Sequence, residues 1–194
     1  MDKAKILIAS SDKSVLSLLK VQLETSLYNV LDGHSSGNEV IRKVNTLFPD
    51  LVISDYNLSD MTGLDLAKSV EDSRTCPIIV LANAAQSEYV EELKRDSLDI
   101  FCITKPVNAA VLNHMVALVL RLSRKMQEYE SQVDSLKNQL EDRKIIDRAK
   151  GILMSKFNMS EDAAYKELRK KAMNASKTLG QIAKTIVDMF AAMD

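Results

Sequence analysis

The strongest constraint on the fold of this chain is a heptad repeat near its middle. Residues 107–150 contain neither Gly nor Pro, so no helix-breaking residue interrupts them. Apolar residues in this stretch are spaced alternately by three and four positions, which is the pattern of a coiled-coil seam: Leu112, Met115, Val119, Leu122, Met126, Tyr129, Val133, Leu136 and Leu140. We predict a long helix that dimerises through a coiled coil over residues 108–142.

The faces of this helix outside the seam indicate how it packs. After Leu122 they are too polar to be buried in one domain, so the seam has little to pack on except a second copy of itself. A parallel homodimer is favoured because Lys125, at a g position, would reach Glu130 at an e position of the partner helix, although an exposed pair of this kind contributes only about 0–1 kcal/mol. The alternative is a single long helix that packs back on its own domain. The first part of the helix is expected to cover that domain in either case.

The sequence before the heptads alternates short apolar runs with helix-like segments. The strand candidates are the apolar runs Lys5–Ala9, Tyr28–Leu31, Leu51–Ser54, Ile78–Leu81 and Ile100–Ile103. Between them, helical spacing is found over Val15–Leu23, Val40–Leu47, Leu64–Val70 and Ser87–Arg95. Continuous apolar strands separated by helices indicate a parallel sheet covered on both faces. We predict a doubly wound, five-stranded, flavodoxin-like domain over residues 1–122, with its functional residues at the carboxyl ends of the strands.

Composition favours a cytoplasmic protein that is not an enzyme. Hydrophobic residues make up 46% of the chain and charged residues 27%, which is ordinary for a soluble globular protein. The apolar runs are too short to span a bilayer, and the sequence begins with no signal-peptide pattern. Cys76 and Cys102 have no metal-ligand spacing and are expected to be reduced thiols in the core. His34 and His114 fit no nucleophile or metal pattern.

A carboxylate and a lysine follow two of the predicted strands. Asp55 ends the third strand, Gly63 follows eight residues later, and Lys105-Pro106 closes the fifth strand. Since the carboxyl ends of parallel strands converge, we expect Asp55 and Lys105 to lie close together. A carboxylate beside an ammonium group can accept a phosphoryl group, because the ammonium offsets charge on the phosphoryl oxygens.

The D…G…KP pattern at these strand ends resembles the receiver domain of two-component response regulators. The resemblance covers residues 1–122. It implies that Asp55 is the phosphoacceptor, that Lys105 is its partner, and that a sensor kinase supplies the phosphoryl group. It also implies a Mg²⁺ site, for which Asp12 and Asp55 are the available carboxylates.

The chain departs from the receiver pattern at several positions of that site. Receivers carry two adjacent acidic residues after the first strand, where this chain has Ser10 and Ser11. A hydroxyl that would bond the phosphoryl group is replaced by Ala82, and an aromatic residue before the lysine is replaced by Cys102. Two hydroxyls supply no charge for Mg²⁺. The alternative is therefore a pseudo-receiver that is controlled by dimerisation or by a partner, such as a sequestering sensor protein.

Charge separates the two ends of the chain. Residues 1–142 carry a net charge of −6, whereas residues 143–194 carry +5. A basic tail indicates a polyanionic partner. The tail has the signals of three short helices: the long helix ends near Phe157, Ser160 is a suitable N-cap, and T-x-x-Q beginning at Thr178 is a capping box. We predict an all-α three-helix domain over residues 143–194.

Three blocks of the tail resemble the ANTAR domain of AmiR/NasR-type transcription antiterminators. They are RKIIDRAKGILM from Arg143, SEDAAYKELRKKAM from Ser160 and LGQIAKTIV from Leu179. The resemblance implies binding to paired hairpins in a leader transcript, which prevents formation of an intrinsic terminator. The rival interpretations are a DNA-binding response regulator and an interaction protein whose tail touches no nucleic acid.

The candidate RNA-binding residues are basic side chains at the end of the first tail helix and on one face of the second, together with one aromatic residue. They are Arg148, Lys150, Lys166, Arg169, Lys170 and Tyr165. Lys and Arg bind phosphates, and Tyr165 can stack on an unpaired base, although packing in the core is an equal alternative for it. Gly151 costs about 1 kcal/mol relative to Ala inside a helix, so close approach of RNA or of another helix would explain it.

Overall fold

A computed structural model describes residues 3–23, 28–72, 76–93 and 100–191 of the chain. The chain divides into two compact units, residues 1–126 and residues 127–194. Within the described ranges, no helix is both long enough and apolar enough to cross a membrane.

The first unit is built on five parallel strands. They are β1 (Ala4–Ala9), β2 (Tyr28–Val30), β3 (Leu51–Asp55), β4 (Ile78–Ala82) and β5 (Ile100–Thr104). Their order in the sheet is β2-β1-β3-β4-β5, so the chain reverses its direction of winding after β2. Every residue of β3 and β4 is buried, because helices cover both faces of the sheet. The predicted doubly wound fold is confirmed.

Seven helices are found among the described residues. They are α1 (Lys13–Leu23), α2 (Gly37–Leu47), α3 (Gly63–Asp72), α4 (Ala84–Leu93), α5 (Ala109–Phe157), α6 (Glu161–Ala175) and α7 (Leu179–Ala191). The fourth helix was predicted over Ser87–Arg95 but begins three residues earlier. Asn83 and Gln86 explain the difference, since the side chain of each accepts a hydrogen bond from the backbone N–H of the other, at 2.9 Å. The predicted end at residues 94 and 95 lies outside the described residues.

Alternate residues of β1 belong to the two cores of the first unit. Ile6 and Ile8 face a layer that includes Leu112 and Val119 of α5, all of them buried. Leu7 faces the opposite layer, formed by α2 and α3. The first turns of the long helix therefore cover the sheet, as predicted from the sequence. Burying one Leu or Val side chain stabilises the fold by about 1.5–3 kcal/mol.

The second unit contains a three-helix core. Its buried side chains are Ala149 and Leu153 of α5, Ala164, Leu168 and Ala172 of α6, and Ile182, Ala183, Ile186 and Val187 of α7. Helix α5 ends where Asn158 adopts a left-handed conformation, with φ of 52°. The Ser160 side chain accepts from the Ala163 N–H at the start of α6, and Thr178 and Gln181 form the predicted capping box of α7. The predicted all-α tail is confirmed.

The middle of α5 is exposed on its apolar seam. Six large apolar side chains are between 43% and 61% exposed in the single chain: Leu122, Met126, Tyr129, Val133, Leu136 and Leu140. They are the heptad positions that follow the part of α5 covering the sheet. In the single chain, the apolar seam is therefore uncovered from Leu122 to Leu140.

Candidate functional site

The carboxylate of Asp55 lies at the carboxyl edge of the sheet, where β3 ends between β1 and β4. Its side chain is only 7% exposed. Lys105 Nζ donates a hydrogen bond to Asp55 Oδ1 at 2.6 Å, and Ser10 Oγ donates to Asp55 Oδ2 at 3.0 Å. The predicted meeting of Asp55 with Lys105 is thus present. The sequence showed that Ser10 stands where receivers have an acidic residue. It did not show that the Ser10 hydroxyl bonds to Asp55, because that contact depends on the register of β1 beside β3.

Gly63 closes the loop that follows Asp55. Its N–H donates to Tyr56 O at 2.7 Å. A Cβ atom at this position would lie 2.6 Å from Asp55 O, so only glycine lets the start of α3 approach this closely. The glycine of the sequence pattern therefore holds the backbone around the carboxylate.

The Asp12 side chain accepts hydrogen bonds at the start of α1. Its Oδ1 atom accepts hydrogen bonds from the N–H of Ser14 at 2.7 Å and from Ser14 Oγ at 2.6 Å. The bond from the Ser14 hydroxyl is the main reason that the pKa of Asp12 is lowered. The neighbouring Ser11 Oγ donates to Asn57 O at 3.0 Å. Both side chains are therefore engaged within the protein.

These contacts do not fit the Mg²⁺ ion that the receiver resemblance implied. Mg²⁺ requires near-octahedral oxygen ligands, with one or two carboxylates among them. Asp55 presents one carboxylate, whose oxygens accept hydrogen bonds from Lys105 and Ser10, and the residues that follow β1 are serines rather than acids. Over the described ranges, no group of three or more His, Cys, Asp and Glu side chains could hold a metal ion.

The other two departures from the receiver pattern are also placed by the structure. Ala82 ends β4 beside the pocket, and its carbonyl oxygen accepts from the N–H of Lys105 at 2.8 Å. Its methyl group provides no hydroxyl for a phosphoryl oxygen. Cys102 is half-buried in β5, where its Sγ lies 3.7 Å from Ser87 Oγ. Neither residue supplies the phosphorylation chemistry expected at its position.

A second candidate surface is the outer face of α6. Lys166, Arg169 and Lys170 are exposed there. The opposite side of the helix, formed by Ala164, Leu168 and Ala172, is buried in the three-helix core. Because the core fixes the rotation of α6, the three predicted basic residues share one solvent-facing surface. We call Lys166, Arg169 and Lys170 the α6 basic face.

Two other side chains of α6 border this face. Tyr165 is 45% exposed and Met173 is 72% exposed. Tyr165 is therefore not enclosed in the three-helix core, and nearly half of its surface is in solvent. Met173 adds an exposed apolar side chain beside the cations.

The two remaining candidates, on α5, differ from each other. Arg148 is exposed, whereas the Lys150 side chain is only 17% exposed. Lys150 Nζ forms ion pairs with Asp147 Oδ1 at 2.9 Å and with Glu161 Oε1 at 2.7 Å. The hydrogen bond to Glu161, followed by that to Asp147, raises the pKa of Lys150. Lys150 therefore joins α5 to the start of α6. Its pair with Asp147 could be expected from the i, i+3 spacing in the sequence, whereas its pair with Glu161 depends on how the two helices pack.

The sheet, its carboxyl-edge aspartate and the separate basic tail define a regulatory protein of the response regulator class. The response regulator receiver domain family matches residues 6–117, more than half of the chain, and the ANTAR domain family matches residues 134–187. The chain therefore belongs to the response regulators that join a receiver domain to an ANTAR domain.

Similar proteins support this assignment. The transcriptional regulatory protein PdtaR of Mycobacterium tuberculosis is 29% identical over 184 residues, which cover 95% of this chain and 89% of that protein. The nitrate regulatory protein of Klebsiella oxytoca is 35% identical over 77 residues, covering 40% of this chain and 19% of that protein. A CheY-like receiver domain protein of Methanospirillum hungatei superposes with a TM-score of 0.56 at 26% identity, over 64% of this chain and 99% of that one.

Proposed function

We propose that this protein is an RNA-binding transcription antiterminator that acts as a dimer on hairpins of leader transcripts. The observation that carries the proposal is the α6 basic face. Its three cations are exposed together, and no ion pair to any of them is found within the described ranges. Unpaired cations on one rigid face are available to phosphates, and Tyr165 beside them offers a ring on which a splayed loop base can stack.

Dimerisation is supported by the exposed seam of α5. Six apolar side chains that recur at heptad spacing would be buried against the same residues of a second copy. Complete burial of one large apolar side chain would stabilise the dimer by about 1.5–3 kcal/mol. Two copies would present two α6 basic faces, which matches a target made of two hairpins.

Control of the dimer is proposed to come from a partner protein that reads the receiver surface, such as a sensor protein that sequesters the regulator. The pocket supports this proposal because Ser10 and Lys105 each donate a hydrogen bond to Asp55, and Ser10 stands where a receiver has an acidic residue. Phosphoryl transfer from a sensor kinase to Asp55 is the alternative. Acetyl phosphate with Mg²⁺ distinguishes them: a phosphoryl mass increment that Asp55→Asn abolishes would restore the kinase interpretation.

The RNA proposal is tested by filter binding of the full-length protein to a two-hairpin leader RNA recovered from its host's transcripts, and to duplex DNA of the same sequence. We expect tighter binding to the RNA, and a loss of affinity in the double variant Lys166→Ala, Arg169→Ala. Lys171→Ala is the matched control, since Lys171 lies on the same helix but is paired with Glu167 at 3.5 Å.

The outcomes separate the rival functions. A preference for duplex DNA would make the protein a DNA-binding response regulator. Binding to neither nucleic acid, with an intact fold by circular dichroism, would make it an interaction protein. An equal loss of affinity per charge removed in the double variant and in Lys171→Ala would mean that net charge, rather than the α6 basic face, determines the affinity.

A further inference from the structure

Among the residues that the structure describes, no neighbour of Gly151 requires it to be glycine. It lies inside α5, where glycine is less stable than alanine by about 0.5–1 kcal/mol. A Cβ atom added to Gly151 would meet nothing within 4 Å. At each of the other four glycines, Gly33, Gly37, Gly63 and Gly180, the added atom would come closer than 3.0 Å to a neighbour. Close approach of a second molecule at this position would explain why the residue is glycine, since no contact within the single chain does.

The position of Gly151 on α5 indicates where such a molecule would come from. Ile145, Ala149 and Leu153 pack in the three-helix core, so that side of the helix is covered. Continuing from the exposed seam in steps of three and four residues, the uncovered side is formed by Tyr129, Val133, Leu136, Leu140, Lys144, Asp147, Gly151 and Met154. Gly151 and the 40% exposed Met154 thus lie on the same side as the dimer seam.

The apolar seam ends at Leu140, and the uncovered side of α5 continues from there through Lys144. Two successive steps of four residues, from Leu136 to Leu140 and from Leu140 to Lys144, interrupt the alternation of three and four. Such an insertion locally unwinds a coiled coil, so paired helices run more nearly straight past it. A straight pair keeps the same helix face turned to its partner as far as Met154.

The charge on this side favours a protein partner over RNA. Asp147 lies one turn before Gly151, and its side chain is 57% exposed. Asp147 is paired with Lys150 of its own chain, and its charge balances that of Lys144 on the same side, so no excess of positive charge is available there to a phosphate backbone. Met154, one turn after Gly151, is apolar and would gain from burial.

We propose that the dimer interface of α5 continues beyond the coiled coil into the ANTAR domain, and that the two helices approach each other most closely at Gly151. This inference rests on the proposed dimer. The absence of a side chain would let the two backbones come together, while the opposite side of each helix stays in its own core. The interface would then fix the spacing of the two α6 basic faces, and so the separation of the two hairpins that the dimer can bind.

Cysteine cross-linking in the full-length protein tests the inference. Single cysteines are introduced as Gly151→Cys, Leu140→Cys and Lys184→Cys into a background in which Cys76 and Cys102 are replaced by Ser. A disulfide forms only where two Cα atoms come within about 7 Å, so it reports close approach directly. We expect Gly151→Cys and Leu140→Cys to form covalent dimers at least about tenfold faster than Lys184→Cys, which lies on the exposed side of α7.

The cross-linking results separate the inference from the function on which it rests. Dimers from Leu140→Cys but not from Gly151→Cys would keep the coiled-coil dimer and overturn the extended interface. No cross-link at either position would overturn the dimer itself. A second variant, Gly151→Leu, is expected to weaken dimerisation in sedimentation. If it weakens only RNA binding and leaves the dimer unchanged, RNA rather than a second copy lies against Gly151.

Discussion

The hydroxyl of Ser10 donates a hydrogen bond of 3.0 Å to Oδ2 of Asp55, while Lys105 holds the other oxygen of the same carboxylate. Ser10 Oγ also accepts from the N–H of Asp12 at 3.1 Å, which fixes its orientation. A neutral hydroxyl thus satisfies the buried carboxylate at a position where the receiver pattern has an acidic residue. Among the described residues, the carboxylate is bonded by one ammonium group and one neutral hydroxyl, which sets the charge balance at this edge of the sheet.

The charge balance of this pocket predicts its response to Mg²⁺. We expect Mg²⁺ to leave the melting temperature of the wild-type protein unchanged. Ser10→Asp should lower it by about 4–8 °C, because two buried carboxylates repel each other, and Mg²⁺ should then restore it. Thermal denaturation with and without Mg²⁺ measures both effects. Ser17→Asp, at an exposed position of α1, is the control. Stabilisation of the wild type by Mg²⁺ would contradict the prediction.

The pair between Lys105 and Asp55 predicts a non-additive double variant. Lys105→Met leaves a buried carboxylate without its cation and should destabilise the first unit by about 1–3 kcal/mol, a value that allows for solvent screening of the 35% exposed lysine. Adding Asp55→Asn should recover part of that loss, since the amide carries no charge. Urea unfolding of the two single variants and the double variant gives the coupling. Strictly additive effects would mean that the pair does not stabilise the fold.

The carboxylate of Asp60 predicts a dependence of stability on acidity. It accepts hydrogen bonds from Ser36 Oγ and from the N–H of Gly37, both at 2.7 Å, and from Asn38. The bond from Ser36 is the largest cause that lowers the pKa of Asp60 from 3.8 to about 2. A depressed folded-state pKa stabilises the fold fully above 3.8, and this contribution disappears as the pH falls toward about 2.

The prediction for Asp60 is checked with Asp60→Asn. This variant should lose less stability than the wild type when the urea midpoint is followed from neutral pH down through pH 3.8. Asp32→Asn is the control, because the Asp32 side chain is 94% exposed and its contact with Lys20, from Oδ1 to Nζ, is long at 3.8 Å. If the urea midpoints of wild type and Asp60→Asn fall in parallel as the pH is lowered, the hydrogen bonds of Asp60 to the start of α2 do not stabilise the fold.

The contrast between Lys150 and Arg169 predicts that they act on RNA binding in different ways. Arg169→Ala should weaken binding by about 1–3 kcal/mol and lower the salt slope by about 1, without changing the melting temperature. Lys150→Ala should lower the melting temperature, because it removes the ion pairs with Asp147 and Glu161. Loss of RNA affinity in Lys150→Ala at an unchanged melting temperature would instead identify Lys150 as a direct RNA contact.

The exposed seam of α5 predicts a stability that depends on protein concentration. If two copies bury Val133 and Leu136, the melting temperature of the wild-type protein rises with concentration by mass action. The double variant Val133→Ser, Leu136→Ser should abolish this rise. Leu168→Ala serves for comparison, since it removes a fully buried side chain from the three-helix core at a cost of about 2–5 kcal/mol while leaving the seam intact. Concentration-independent melting of the wild type would contradict dimerisation.

Periodicity in the sequence determined the elements of this protein. Continuous apolar runs predicted strands buried on both faces, and the heptads predicted one uninterrupted helix α5. Both patterns can be recognised because the spacing of apolar residues shows which face of an element is buried. Local side-chain chemistry likewise placed the caps at Ser160 and Thr178. These are properties of neighbouring residues, and a sequence displays them directly. The capping box at Asn83 could have been read in the same way and would have corrected the start of α4.

Only the tertiary structure decided which side chains meet across long separations in sequence. That Ser10 lies against Asp55, and that Lys150 is held by Glu161, depends on strand register and helix packing. The same holds for the side of α5 on which Gly151 lies, since the core residues Ala149 and Leu153 fix the rotation of that helix. The sequence determined what each residue can do chemically. The fold decided which side chains bond to each other within the protein, because a hydrogen bond or ion pair requires atoms within a few ångströms of each other.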